Sequence, residues 1–157
     1  MTLFCDLDGV LADFDKGVKD LTGKFPNEFR QIGDMWRQLA PRKDGRDPDF
    51  YYNLDFMFDG MELWNTIKHL NPIILTGLPF GKWAHGQKVR WVGENLGWDV
   101  TIITCMTSNK PLYAEPGDFL IDDRPKIKPA WEQKGATFIT HTDTKSTINK
   151  LRGLDII

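Results

Sequence analysis

The chain predicts an α/β fold, a doubly wound parallel sheet of five strands with a small helical cap inserted after strand one. Three observations carry this. Five short apolar runs are rich in β-branched or aromatic residues: Thr2–Cys5, Pro72–Leu75, Thr101–Thr104, Phe119–Ile121 and Ala136–Ile139. They lack a polar/apolar alternation, as strands buried on both faces do. Helix-like segments separate the runs, and that rhythm gives a Rossmann-like crossover sheet.

Each element has its own signal. Helices are expected over Met61–Leu70, His85–Leu96, Lys128–Lys134 and Thr144–Leu151. In the second, Val89, Val92 and Leu96 follow helical spacing and Gly97 is a stop. In the last, Ile148 and Leu151 share a face and Gly153 ends the pattern. Residues 14–59 break the rhythm. They hold Pro26, Pro41 and Pro48, the charged stretch Arg42–Asp49, and the aromatics Phe50, Tyr51, Tyr52, Phe56 and Phe58. The expected division is therefore an α/β core of residues 1–13 and 60–157, with the cap at 14–59. Tyr51, Tyr52, Phe56 and Phe58 read as packing within the cap, and Trp64, Trp91 and Trp131 as core or helix–sheet contacts.

Composition excludes several classes. A chain of 157 residues builds one compact domain. A net charge of −2 without a basic run argues against duplex nucleic acid as a partner. No apolar stretch approaches the ~20 residues of a membrane span, so no membrane partner is expected. Cys5 and Cys105 have no metal-site spacing and read as reduced thiols, which sets a cytoplasmic location as the expectation. A homodimer is left open.

The chemistry lies at the strand ends. Asp6-Leu7-Asp8-Gly9-Val10 follows the first run, Thr76-Gly77 the second, a loop to Lys110 the third, and Asp122-Asp123-Arg124 the fourth. A parallel sheet brings its carboxyl ends to one edge, where ligands bind. Clustered carboxylates need a cation to coexist, and an all-oxygen donor set suits Mg²⁺. Asp6 is then a candidate nucleophile and Asp8 a candidate proton donor and acceptor. Thr76 and Lys110 are candidates for phosphoryl oxygens, and Asp122 and Asp123 for the metal shell or its waters. Lys82, Lys88 and Arg124 are the nearest further cations. Lys82 reads as solvated, and Arg124 as a salt-bridge partner within the site. His69, His85 and His141 share no spacing and read as surface or structural.

These four segments resemble the motifs of the haloacid dehalogenase superfamily, whose DxDG(V/T) signature is similar to Asp6–Val10. A narrower resemblance covers roughly residues 3–20 and 72–128. The stretch from Asp6 to Phe14, Leu75-Thr76-Gly77-Leu78-Pro79, Lys88 with Trp91 and Val92, and Leu120–Pro125 are similar to the 5'(3')-deoxyribonucleotidases. That resemblance implies hydrolysis of nucleoside monophosphates, with a helical cap over the nucleoside. It implies Asp6 as nucleophile, Asp8 as acid/base, Thr76 as the phosphate-binding hydroxyl and Lys110 as the motif-three lysine. It implies Mg²⁺ held by Asp6, the Asp8 carbonyl and a motif-four acid, with Asp123 favoured and Asp122 close by. Gly77 stands where the family commonly carries serine, which removes one hydroxyl, although the Gly77 N–H can serve. Phe14 and Trp36 are candidates for stacking on the base. The cap matches the family poorly, so base and sugar preference stay open. Two other functions fit the same residues. One is a polynucleotide 3'-phosphatase, which the Ile-Asp-Asp-Arg run also resembles. The other is a non-catalytic nucleotide-binding module.

Overall fold

The computed structural model describes Met1–Ile157 throughout. Five strands form one parallel sheet: β1 Leu3–Cys5, β2 Ile73–Gly77, β3 Ile102–Cys105, β4 Phe119–Asp122 and β5 Thr137–Thr140. Their order is β3-β2-β1-β4-β5, so the chain winds outward on one side of β1 and then on the other. The direction reverses beside β1, where doubly wound sheets bind ligands. The expected fold class is the observed one. Strands β2 and β4 run one or two residues further than expected, so Thr76, Gly77 and Asp122 are strand residues and not loop residues.

Successive side chains point to opposite faces, and the core divides accordingly. Leu3, Cys5, Ile74, Ile121 and Ile139 join one apolar cluster, whereas Phe4, Leu75, Leu120 and Phe138 join another. The first cluster is covered by α3 Gly60–Ile67, α4 Trp83–Asn95 and α6 Thr144–Gly153. The second is smaller, and Trp131 of α5 Lys128–Glu132 packs edge-on against Phe4 there. Trp64, Trp91 and Trp131 are all buried, as expected.

The segment 14–59 contains no strand. It carries α1 Phe14–Thr22, a 3-10 turn at Pro26–Glu28 and α2 Ile32–Leu39. Asp13 accepts from the Lys16 N–H and so caps α1, while Gly23 in the left-handed region ends it. Entry and exit are zipped together, because the Met57 N–H donates to the Leu11 carbonyl at 2.7 Å and the Asp13 N–H to the Asp55 carbonyl at 2.8 Å. The segment shares the first apolar cluster through Phe14, Val18, Met35, Leu39, Phe50 and Leu54. The Trp91 indole N–H adds a tie from α4 to the Leu54 carbonyl at 2.8 Å.

Three expectations are corrected. The first helix after the insertion is α-helical only to Ile67 and tightens into a 3-10 turn over Lys68–Leu70. Helix α4 starts earlier, at Trp83. Phe58 does not pack the insertion: it is 91% exposed, at the turn into α3.

Candidate active site

The strand register sets the geometry. Cys5 pairs with Ile121, so Asp6 and Asp122 leave their strands side by side, and the Asp6 N–H still bonds the Ile121 carbonyl at 2.8 Å. Gly9 then turns the chain back with φ +78, which favours glycine. A Cβ there would also collide with the Asp123 carboxylate. The glycine of this motif thus clears space for an acid on the neighbouring strand end.

Two buried ammonium groups organise the acids. Lys110 sits in a 3-10 turn over Thr107–Tyr113 and is 2% exposed. Its Nζ lies 2.9 Å from Asp6 Oδ1 and 2.7 Å from Asp122 Oδ2. These carboxylates hold the Lys110 ammonium charged, well above its ordinary range, against the opposing effect of burial. Lys88 of α4 is fully buried, and its Nζ donates to Asp8 Oδ2 at 2.8 Å, Thr76 Oγ1 at 2.9 Å and the Gly77 carbonyl at 2.6 Å.

The remaining acids are under-compensated. Asp6, Asp122 and Asp123 each offer an oxygen within 4.8 Å of the others. Burial first, then the charges of Asp6 and Asp122, push Asp123 up to about 7. Burial and Asp6 push Asp122 up to about 6, although Lys110 and the Arg124 N–H oppose the shift. Asp123 Oδ1 is buried without a hydrogen-bond partner. Three converging carboxylates and an orphaned buried oxygen are the donor chemistry of a hard divalent cation, so these residues fit one. Asp8 is likewise raised, by burial above all, and Lys88 offsets this only in part. Asp8 Oδ1 has no partner either.

Above these groups opens a cavity of about 100 Å³. Asp6, Asp8, Gly77, Lys110 and Asp122 form its polar floor, and Phe14 and Trp36 its upper wall, with ring centroids 5.9 Å apart. At ~30 Å³ per water it holds about three waters' volume, the scale of one small anion. It continues past Trp36, Leu78 and Pro79 into an apolar groove of about 690 Å³ that Trp83, Phe80 and Ile32 also line.

The structure therefore gathers Asp6, Asp8, Lys110, Asp122 and Asp123 at one edge, with Phe14, Trp36 and Gly77 on the cavity wall. Thr76 is placed differently. Its side chain is fully buried against Lys88 and is not part of the wall. The wall instead carries Thr107, whose hydroxyl occupies the place a Gly77 Cβ would take. In a 3-10 helix, residues three apart eclipse, so Thr107 and Lys110 face the cavity together. That spacing was available in the sequence, but the 3-10 turn was not. Tyr51 does more than pack: it contacts Phe14 and Trp83 and also lines the cavity. Arg124 reaches the cavity but makes no ion pair with either acid before it. Lys88 does not itself line the cavity, although its Nζ holds Asp8 and Gly77, which do. It was detectable as a charge on the stripe Ala84, Lys88, Trp91 that α4 buries. His141 is buried and bonded to Thr147, a structural place, while His69 and His85 are exposed.

This fold, with a buried acid cluster at the switch point, is that of the haloacid dehalogenase superfamily. A solved L-2-haloacid dehalogenase from Xanthobacter autotrophicus superposes over 99% of this chain and 84% of that one, with TM-score 0.56 at 12% identity. A HAD-superfamily hydrolase from Ehrlichia chaffeensis does so over 98% and 97%, with TM-score 0.52 at 13% identity. No family model matches the chain. Curated relatives narrow the class. The human cytosolic-type 5'(3')-deoxyribonucleotidase is 30% identical over 153 residues, covering 81% of this chain and 75% of the relative. A putative 5'(3')-deoxyribonucleotidase of Bordetella pertussis is 28% identical over 83% of this chain and 80% of its own length. The chain belongs to the 5'(3')-deoxyribonucleotidase family and is a phosphatase.

Proposed function

We propose that this phosphatase is Mg²⁺-dependent and removes the phosphate of (deoxy)nucleoside monophosphates through a phospho-aspartate at Asp6. One observation carries the reading. Asp6, under Lys110 and beside Asp122 and the partnerless Oδ1 of Asp123, faces a phosphate-sized cavity whose other wall is aromatic. The relatives' names supply the nucleotide.

Asp6, the Asp8 main-chain carbonyl and Asp123, with Asp122 adjacent, would hold the Mg²⁺. The ion supplies positive charge that lets an anionic ester approach an anionic carboxylate. Everything else falls to the chain's own side chains. An Asp6 oxygen attacks phosphorus and the bond to the ester oxygen breaks, leaving an acyl phosphate. Asp8, which burial keeps protonated to higher pH than an ordinary aspartate, gives its proton to the departing oxygen. Asp8 then takes a proton from water as that water attacks phosphorus, which releases inorganic phosphate and restores Asp6. Lys110 holds Asp6 in place and offsets charge on the transferring group. Gly77 and Lys110, on the cavity wall, are assigned to the phosphate, with Thr76 buried behind them on Lys88, and Phe14 and Trp36 are assigned to the base. Residues 14–59 act as the cap that brings those rings over Asp6. A reducing cytoplasm is the assigned location, and no helix is long and apolar enough to cross a membrane.

The test is phosphate release from a panel of nucleoside 5'- and 3'-monophosphates, with Mg²⁺ and with EDTA. Release from at least one of them, lost in EDTA, is expected. No release from any nucleotide contradicts the proposal. A 3'-phosphorylated oligonucleotide in the same panel separates the polynucleotide phosphatase, which would prefer it.

A further inference from the structure

Lys88 is the charged group that the proposed steps leave without work. It lies on α4, eighty residues after Asp8, and its side chain is fully buried. Its three donors are all used, on Asp8 Oδ2, Thr76 Oγ1 and the Gly77 carbonyl. The Tyr51 ring covers it, 4.3 Å from Nζ to centroid. Burying an ammonium is costly, and apolar residues of similar size in such places often serve stability as well or better. Packing alone therefore gives weak reason for a lysine here.

The contacts are selective. Lys88 grips one oxygen of Asp8, while Oδ1 stays buried and partnerless. Asp8 is thereby fixed in one rotamer. The two buried lysines divide the site between them: Lys110 serves Asp6 and Asp122, and Lys88 serves Asp8 and Thr76.

We infer that Lys88 is a positioning residue for Asp8. It holds the Asp8 carboxyl in one rotamer, from which that carboxyl gives its proton to the departing ester oxygen and later receives one from water. The inference rests on reading Asp8 as the acid/base. Its consequence is selective, because an ester whose leaving group is stable as an anion needs little protonation, whereas a nucleoside alkoxide needs it fully.

The experiment compares kcat/KM for a deoxynucleoside monophosphate and for 4-nitrophenyl phosphate, in Mg²⁺, for wild type, Lys88→Met and Lys88→Gln. This constant reports the steps up to phosphoryl transfer, so slow dephosphorylation does not mask the difference. Lys88→Met is expected to lose ~10²-fold on the nucleotide, the scale of general acid catalysis, and at least about tenfold less on the nitrophenyl ester. Lys88→Gln keeps a donor and should fall between wild type and Lys88→Met. It carries the test by itself if thermal unfolding shows Lys88→Met not to fold. In an Asp8→Asn background, Lys88→Met should add no further loss, since groups acting as a unit are not additive. Equal losses on both esters, or full additivity with Asp8→Asn, would overturn the inference. A wild type inactive on both esters overturns the acid/base reading itself, and that result is distinct from the other two.

Discussion

The two walls of the cavity are built on opposite principles. The sheet edge contributes charge, with Asp6, Asp122, Asp123 and Lys110 held at adjoining strand ends and their neighbouring loops. The segment 14–59 contributes rings, as Phe14, Trp36 and Tyr51 line the same cavity without a charge among them. The edge must be rigid, because like charges this close tolerate no slack, and parallel hydrogen bonding gives that rigidity. The rings need only apolar contact, which their shared cluster with the core supplies. Chemistry and recognition are thus separable, and substitutions on the two walls should have different kinetic signatures.

The largest effect belongs to the edge. Asp6→Asn removes the attacking charge at nearly constant volume and should lower kcat at least ~10⁴-fold, as loss of a nucleophile does. Its thermal unfolding should show a folded protein. Lys110→Met should lower kcat ~10²–10³-fold with a smaller effect on KM, the scale seen when one donor to developing charge is lost. Activity of Lys110→Met near wild type would break the assignment of charge to this wall.

On the other wall, Trp36→Ala should leave kcat on saturating nucleotide nearly intact and raise KM. The expected change is about five- to hundredfold, from ~1–3 kcal/mol per stacked base. A fall in kcat as large as that of Lys110→Met would mean that the two walls are not separable.

The smallest effect is on stability. Without metal, Asp123 and Asp122 titrate near 7 and 6 in the fold, against ~3.9 when unfolded. Between pH 5 and 7 the folded chain therefore holds more protons than the unfolded chain, and stability falls as pH rises. Asp8 is raised as well and adds to the fall, whereas His141, which burial lowers, opposes it in part, one group against three; Asp44 and Asp143 are lowered, and their contribution is complete across this window. In EDTA, Tm should fall by a few degrees from pH 5 to 7, and Mg²⁺ should raise Tm most at pH 7. A Tm that rises across this window in EDTA would contradict the arrangement of the cluster.

The same contrast explains what could be read in advance. Asp6, Asp8, Lys110, Asp122 and Asp123 were accessible because each follows an apolar run, and a parallel sheet leaves one place for such residues to meet. A glycine at position 9 suits a turn by its residue type, but the clearance of Asp123 needs the neighbouring strand. Lys88 was visible as a charge on an apolar stripe, yet its partners lie eighty and twelve residues away in the chain. Thr107 was not visible, since only the 3-10 turn carries it to the cavity. The aromatic-rich stretch gave no periodicity to sort its rings, so exposed Phe58 and cavity-lining Tyr51 looked alike.

The most direct test of the central claim is a single turnover with enzyme in excess over a phosphate-labelled deoxynucleoside monophosphate, quenched rapidly in acid. Label should appear transiently on the protein, map to the peptide containing Asp6, and be absent in Asp6→Asn. Hydrolysis by wild type with no labelled protein at any time, or label equally strong in Asp6→Asn, would contradict it.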